Sequence, residues 1–174
     1  KMIAENVIMS FKDKIKIHSI RPATVCGLSP RMRFDVSVNM LTMHALKNKK
    51  IKVFGGKQIR PNIHIKDMVS VYLHFLKKIN LPSGAYNAGF ENISILNIAK
   101  KIKKLINSKI LIEKSNDPRS YRQSSFKLLK TGFVPKYNVE YAIIEIIKKY
   151  SSKQKIADNC FTVKWMKKLN LDKT

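Results

Sequence analysis

Of the 35 cationic side chains in this sequence only six are arginine: Arg21, Arg31, Arg33, Arg60, Arg119 and Arg122. A guanidinium presents a planar fork of donors that matches phosphate and carboxylate, whereas lysine offers a point charge. In a chain that elsewhere chooses lysine, these six are the candidates for holding an anion. Arg60 precedes Pro61, whose ring restricts the backbone before it and suits a fixed presentation. It lies in VFGGKQIRPNIHIKDM, Val53 to Met68, which also carries Gly55, Gly56, His64 and Asp67. His64 alone suggests a metal ligand or a general base. With no second histidine or acidic ligand at suitable spacing, it reads as a buried residue hydrogen-bonded near the helix start at Asp67. Gly55 and Gly56 follow a strand, but the next residues neither give Gly-x-x-Gly spacing nor open a helix, so they make a turn and not a phosphate cradle. His18, His44 and His74 are assigned no chemistry, and Asn87 reads as a turn brace. Cys26 and Cys160 are too few for a disulfide framework and lack metal-ligand spacing, which fits free thiols in a reducing cytoplasm.

The elements that position these residues follow from periodicity. Ile3, Val7 and Phe11 fall on one side of a helix, so the chain enters already helical. Residues 15–25 read as one buried strand, followed by a loop with Pro30, Arg31 and Arg33. A helix over 36–46, the strand and turn KIKVFGG and the short strand NIHI come next. The helix that follows runs to about Lys77, with Asp67 placed to cap it. AYNAG is a strand, Ser94 caps the basic amphipathic helix ILNIAKKIKKLI, and KILIEK is a strand. A short helix over 125–130 ends at Gly132, and VEYAIIEIIKKY is the last long helix. Beyond Ser151 periodicity is lost until a helical turn around Trp165. Strands alternating with helices give an α/β architecture.

Hydrophobic residues make up 44% of the 174, as in ordinary soluble domains, and lysines break every apolar run short of a membrane span. No charged, apolar and small-residue leader opens the chain. The formal charge of +24 raises a non-catalytic domain binding RNA or another polyanion as an alternative. The lysines are scattered along the whole length beside abundant isoleucine and asparagine, a general bias that makes nucleic acid the lesser reading.

Four stretches in order carry a family resemblance. IRPATVCG resembles a strand ending Arg-Pro-x-Asn/Thr-x-Tyr-Gly, and the Val53 to Met68 segment is similar to Gly-x-Gly-x-x-x-Arg-x-apolar-x-His-Val-x-Asp. GAYNAG matches a Tyr-Asn-x-Gly strand, and DPRSYRQSSFKLLKTGFVP matches an Asp-x-Arg segment closed by Gly-Phe-x-Pro. Together they resemble the C-terminal half of the extended short-chain dehydrogenase/reductases, in particular the NAD-dependent nucleotide-sugar epimerases and dehydratases.

That resemblance implies a partial Rossmann-like sheet joined to a smaller C-terminal α/β substrate-binding subdomain, with the N-terminal Gly-rich half absent. It assigns residues 1–150 to the family domain and 151–174 to a partly helical extension. Lys1 becomes the lysine of a Tyr-x-x-x-Lys pair whose tyrosine lies before the chain; the ammonium favours the phenolate and holds the nicotinamide ribose. Pro22, Ala23 and Thr24 fall beside the nicotinamide of NAD or NADP. Arg60 and Arg119 fall on the diphosphate and nucleotide phosphate or ribose, Asn39 on a phosphate and Arg33 toward the sugar. The implied partner is a nucleoside-diphosphate sugar, with a homodimer in the intact protein and no metal. Hydride transfer is the cofactor's chemistry, so the 174 residues are expected to bind substrate without turning it over. A half sheet also exposes apolar surface and strand edges, which makes the isolated chain prone to aggregation.

Overall fold

Isoleucine and valine recur at helical and alternating spacings. The computed structural model, which describes residues 1–115, 117 and 119–170, turns those spacings into seven α-helices and seven strands among the described residues. The first half comprises α1 (Met2–Met9), β1 (His18–Pro22), β2 (Thr24–Cys26), α2 (Ser37–Asn48), β3 (Lys50–Phe54), β4 (Ile59–His64) and α3 (Ile65–Lys77). The second comprises β5 (Gly84–Ala88), β6 (Glu91–Ser94), α4 (Ile95–Leu105), β7 (Lys109–Glu113), α5 (Phe126–Leu129), α6 (Val139–Lys149) and α7 (Thr162–Lys168). Three parallel pairings, β1 with β5, β2 with β4 and β3 with β7, each in its own small sheet, carry a partial Rossmann-like α/β fold. β6 adds an antiparallel edge to β4.

The single strand expected over 15–25 is two. β1 runs beside β5 from His18↔Gly84 to Pro22↔Ala88, where β5 ends, and β2 takes β4 as its new partner from Thr24↔Asn62. Ala23 is the crossover, its N–H donating to the Ala88 carbonyl at 2.8 Å. Ile15 is exposed, because the strand begins only at His18. β6 was not expected; four residues with polar Glu91, Asn92 and Ser94 around one isoleucine give little strand pattern.

Asp67 does not cap α3. His64 does, its Nδ1 accepting from the Lys66 N–H at 3.2 Å. The buried Asp67 carboxylate turns away to accept from Lys136 N–H (3.0 and 3.2 Å) and Tyr137 N–H (3.0 Å), amides of a connection that has no ladder to satisfy it. Ser94 caps α4 as expected, accepting from Asn97 N–H at 3.2 Å. That helix buries Ile98, Ala99 and Ile102 completely, each isoleucine contributing about 1.5–3 kcal/mol, and leaves its lysines outside.

One core lies among α2, α4, α6 and β3, centred on Val38, Leu41, Val53, Ile102 and Ile143. A second lies between α3, β5 and α5, with Val71, Phe75, Tyr86 and Leu128. The third joins the loop before α2 to the C-terminal segment. Phe34 meets the Tyr150 ring edge-on at 5.2 Å and Phe161 at 6.4 Å. Residues 158–168, a 3-10 turn and α7, are thus an ordered part of the fold, and 171–174 lie outside the described residues. Apolar α1 residues remain open, Ile3 at 75% and Val7 at 57% exposure, and β5 is the one strand paired with β1 among the described residues. No helix among those residues is long and apolar enough to cross a membrane.

Candidate functional site

β4 delivers Arg60 to a carboxylate that a second arginine also holds. Arg60 Nη2 lies 3.1 Å from Asp117 Oδ2, while Nη1 donates to the carbonyls of Ile59 (3.1 Å) and Arg119. Its guanidinium stands 5.3 Å from the Tyr121 ring centroid. Arg119 grips the same Asp117 through Nε (2.7 Å), Nη2 (2.9 Å) and its backbone N–H (3.1 Å). Hydrogen bonding from the Arg119 side chain, then from its backbone, holds the Asp117 carboxyl down to about 2. The Arg60 side chain is only 15% exposed and the Arg119 side chain 76%, so one guanidinium is fixed and the other open to an incoming anion. Two cations and one anion leave the cluster with a single net positive charge. The cluster edges a cavity of about 240 Å³ lined also by Ser37, Met40, Phe54 and Gln58. Of the two arginines only Arg60 lines this cavity, with Lys52 as its other cation; with exposed Phe54 and the Met40 thioether they suit a flat heterocycle carrying an anionic chain, and Arg119 joins through Asp117. The Gly55–Gly56 turn shaping this wall has φ of +73° and +98°, as a turn requires.

A second cavity, about 320 Å³, lies beside Cys26, Gly27, Arg31, Arg33 and Asn39. Asn39 is 3% exposed and spends its amide internally. Oδ1 accepts from Gly27 N–H (3.1 Å) and Nδ2 donates to the Arg33 carbonyl (3.0 Å). It therefore braces the arginine loop. Arg33 forks onto Asp35 (3.0 and 3.1 Å), and Arg31 donates to the Asn159 carbonyl (2.9 Å). Below Gly27 stands His64. Because its Nδ1 accepts from an amide, the ring proton sits on Nε2 and is donated to Glu145 Oε2 at 2.9 Å. Burial, outweighing the pull of Glu145, lowers His64 below its ordinary range. Glu145 also pairs with Lys66, whose ammonium lies over the Tyr137 and Tyr141 rings. For Glu145 burial works upward, but bonding to Lys66 and His64 prevails and lowers its carboxyl.

Pro22, Ala23 and Thr24 line a third cavity, about 310 Å³, with Pro61, Arg122 and Gln123. Gln123 donates Nε2–H to the Arg21 carbonyl at 2.9 Å, which leaves its buried Oε1 without a donor. Asn92 and Asn87 tie this wall to the sheet. Asn92 bonds the Gln123 backbone twice (2.9 and 3.1 Å) and Asn87 donates to the Ser124 carbonyl (3.0 Å). The three cavities are neighbours along the chain. Residues 22–24 line one and 25–27 the next, Asn39 faces the second while Ser37 and Met40 face the first, and Arg60 and Pro61 divide the first from the third.

Lys1 is not part of this cluster: it is exposed at the head of α1 and lines none of the three cavities. α1 is docked by Glu5, which accepts from Ser19 Oγ (2.8 Å) and from Arg21; these bonds, Arg21 foremost, hold the Glu5 carboxyl at about 2. Arg21 is thus a structural partner and not a ligand arginine. Sequence reasoning missed Glu5, Gln123, Tyr121 and Glu145. Only Glu145 left a signal, as a carboxylate beside the apolar face of α6, whose Ala142, Ile143 and Ile146 are buried. Among the described residues no group of three His, Cys, Asp or Glu side chains could hold a metal ion.

Parallel pairings between helices, with arginine-bearing clefts beside β2, β4 and α2, define a Rossmann-related α/β class. Residues 1–89 match the NAD dependent epimerase/dehydratase family, and the chain belongs to that family. Its fold is similar to a UDP-glucuronic acid 4-epimerase mutant from Bacillus cereus, solved with UDP-4-deoxy-4-fluoro-glucuronic acid and NAD. The TM-score is 0.73 at 24% identity, over 86% of this chain and 52% of that one. It is also similar to ADP-L-glycero-D-manno-heptose-6-epimerase from Helicobacter pylori (TM-score 0.71, 22% identity, 82% and 47%). A third similar fold is UDP-glucose 4-epimerase from Thermotoga maritima with UDP-glucose (0.70, 19%, 84% and 50%). The chain spans about half the length of these solved structures.

Proposed function

We propose that this chain is the nucleotide-sugar-binding portion of an NAD-linked epimerase or dehydratase. The observation that carries the reading is the pair of guanidiniums, Arg60 and Arg119, meeting on Asp117 at the mouth of a cavity walled by Phe54 and Met40. A nucleoside-diphosphate sugar brings two negative charges to this point, and its phosphates replace Asp117 as partner of the open Arg119 while Arg60 stays in place. Asn39, through Gly27 and Arg33, holds the adjoining loop toward the sugar. Residues 22–24 are assigned to the nicotinamide end of NAD, in the cavity they line with Pro61, Arg122 and Gln123. NAD supplies the hydride chemistry when bound. Lys1 is assigned to the nicotinamide ribose and to lowering the pKa of a tyrosine four positions before it, which places both on one helical face. The 174 residues contain neither that tyrosine nor a Gly-x-Gly-x-x-Gly turn, so by themselves they bind without turnover. Residues 1–150 are assigned to the family domain and 151–174 to its extension. Homodimer formation through the open face of α1, and a reducing cytoplasm consistent with free Cys26 and Cys160, complete the reading.

Calorimetric titration of UDP, with uridine as control, into the 174-residue chain tests it. Removing the charge-assisted bonds of one arginine costs about 1.5–3 kcal/mol, so Arg60→Ala weakens UDP binding roughly 10- to 150-fold. UDP affinity indifferent to Arg60→Ala and Arg119→Ala refutes the assignment. A steep salt dependence shared by UDP and any oligonucleotide supports the polyanion alternative instead.

A further inference from the structure

The loop between β2 and α2 is fixed from the far end of the chain. Arg31 Nη2 donates to the Asn159 carbonyl at 2.9 Å and reaches Thr162 Oγ1 at 3.5 Å. Phe34 N–H donates to the Cys160 carbonyl at 2.9 Å. Asp35 takes both forks of Arg33, and the Val163 backbone amide in the first turn of α7 helps to lower its carboxyl. Under these bonds Met32 and Phe34, at most 2% exposed, pack against Ile146, Ile156 and Phe161. Arg31 is therefore held directly by residues 159–162, and Arg33 by Asp35, whose neighbour Phe34 is bonded to Cys160. Where the two guanidiniums stand is a property of the C-terminal segment as much as of their own loop.

We infer that Asp158–Lys168 is a strap that positions Arg31 and Arg33 over the Gly27–Asn39 cavity and so determines how the sugar end of the ligand is held. The strap rests on contacts alone; the sugar as ligand rests on the nucleotide-sugar reading. Linkage requires reciprocity. If docking of the strap improves sugar binding, a bound sugar must stabilise the docked strap by the same factor. The diphosphate, held by Arg60 and Arg119 in the neighbouring cavity, is outside this coupling.

Trp165, the only tryptophan in the sequence, lies on α7 and reports docking by its fluorescence. Phe161→Ala loosens the strap from within, and Arg31→Gln cuts one tie at an exposed position should the first variant fail to fold. In the full chain, the expected result is a change in Trp165 emission together with about tenfold faster hydrogen exchange over residues 27–35, with β3 and β4 unchanged. Affinity for UDP-glucose falls about tenfold while affinity for UDP is unchanged, and UDP-glucose but not UDP slows exchange over 27–35 in the unaltered chain. Exchange over 27–35 that stays the same when Trp165 reports release overturns the strap. Equal weakening of UDP and UDP-glucose overturns its sugar-positioning role. A chain that binds neither ligand refutes the nucleotide-sugar reading, and the ligand-free exchange measurement still decides whether the strap exists.

Discussion

Gly27→Ala is the sharpest perturbation the packing offers. Gly27 has φ of +104°, and a Cβ there lies 2.5 Å from His64 Nε2 and 2.9 Å from Cδ2. The imidazole has no room to retreat: its side chain is fully buried, tethered by Glu145 at 2.9 Å and by the Lys66 amide at 3.2 Å. A sparsely populated backbone conformation costs about 1–3 kcal/mol. Overpacking a close-fitted site adds about 1–3 kcal/mol more. The expected loss of about 2–6 kcal/mol is a large part of the 5–15 kcal/mol typical of folded domains. Urea unfolding followed by circular dichroism measures it. A change in unfolding free energy of less than about 0.5 kcal/mol at unchanged slope would refute the close-packed Gly27–His64 contact. A double-mutant cycle with His64→Ala separates the parts, because without the ring only the backbone cost remains.

Asp67→Ala leaves the partly buried amides of Lys136 and Tyr137 without their acceptor, at about 1–3 kcal/mol in all; chemical denaturation that finds no loss contradicts the role assigned to this carboxylate. Burial lowers His64, and likewise His44 and His74, so between the ordinary pKa of 6.5 and the lower folded value the unfolded chain binds more protons. The stability these residues contribute is complete above pH 6.5 and declines on acidification below it. Each contributes a slope of at most about 1.4 kcal/mol per pH unit, and His64→Gln removes one such increment; stability constant from pH 7.5 to 5.5 goes against it. The Cys26 thiol is pushed up to about 12, by burial first and then by the charge of Glu91. Iodoacetamide at pH 8 should therefore modify partly exposed Cys160 in the native chain and Cys26 only after unfolding, and equal native labelling by peptide mass spectrometry is the contrary result.

Periodic elements were legible because burial imposes their spacing. The isoleucines of α4, the cap at Ser94 and the turn at Gly55–Gly56 stand where sequence puts them. What sequence could not supply was the partner of each polar group. Asp67 satisfies every rule for a helix cap, yet the stronger demand came from two amides some seventy residues away. The strand over 15–25 looked continuous because alternation ignores where the neighbouring strand ends, and β5 ends at Ala88. Arginine scarcity pointed to six positions, but a guanidinium suits carboxylate as well as phosphate. Arg21 and Arg33 went to Glu5 and Asp35, while Arg60 and Arg119 converged through Asp117, a carboxylate two residues before one arginine and 57 after the other. Asn39, expected on a phosphate, lines the cavity beside Arg31 and Arg33 and not the one beside Arg60, and spends its amide on the arginine loop. The C-terminal segment looked aperiodic because Met32 and Phe34, which it covers, are contributed from the start of the chain.

The central claim is that Arg60 and Arg119 form one diphosphate site, and a structure of the 174-residue chain crystallised with UDP tests it most directly. The expected density places phosphate oxygens within about 3.2 Å of guanidinium nitrogens of both arginines, with the base against Phe54 and Met40. A diphosphate bound elsewhere on the surface, with both arginines still on Asp117, would contradict it.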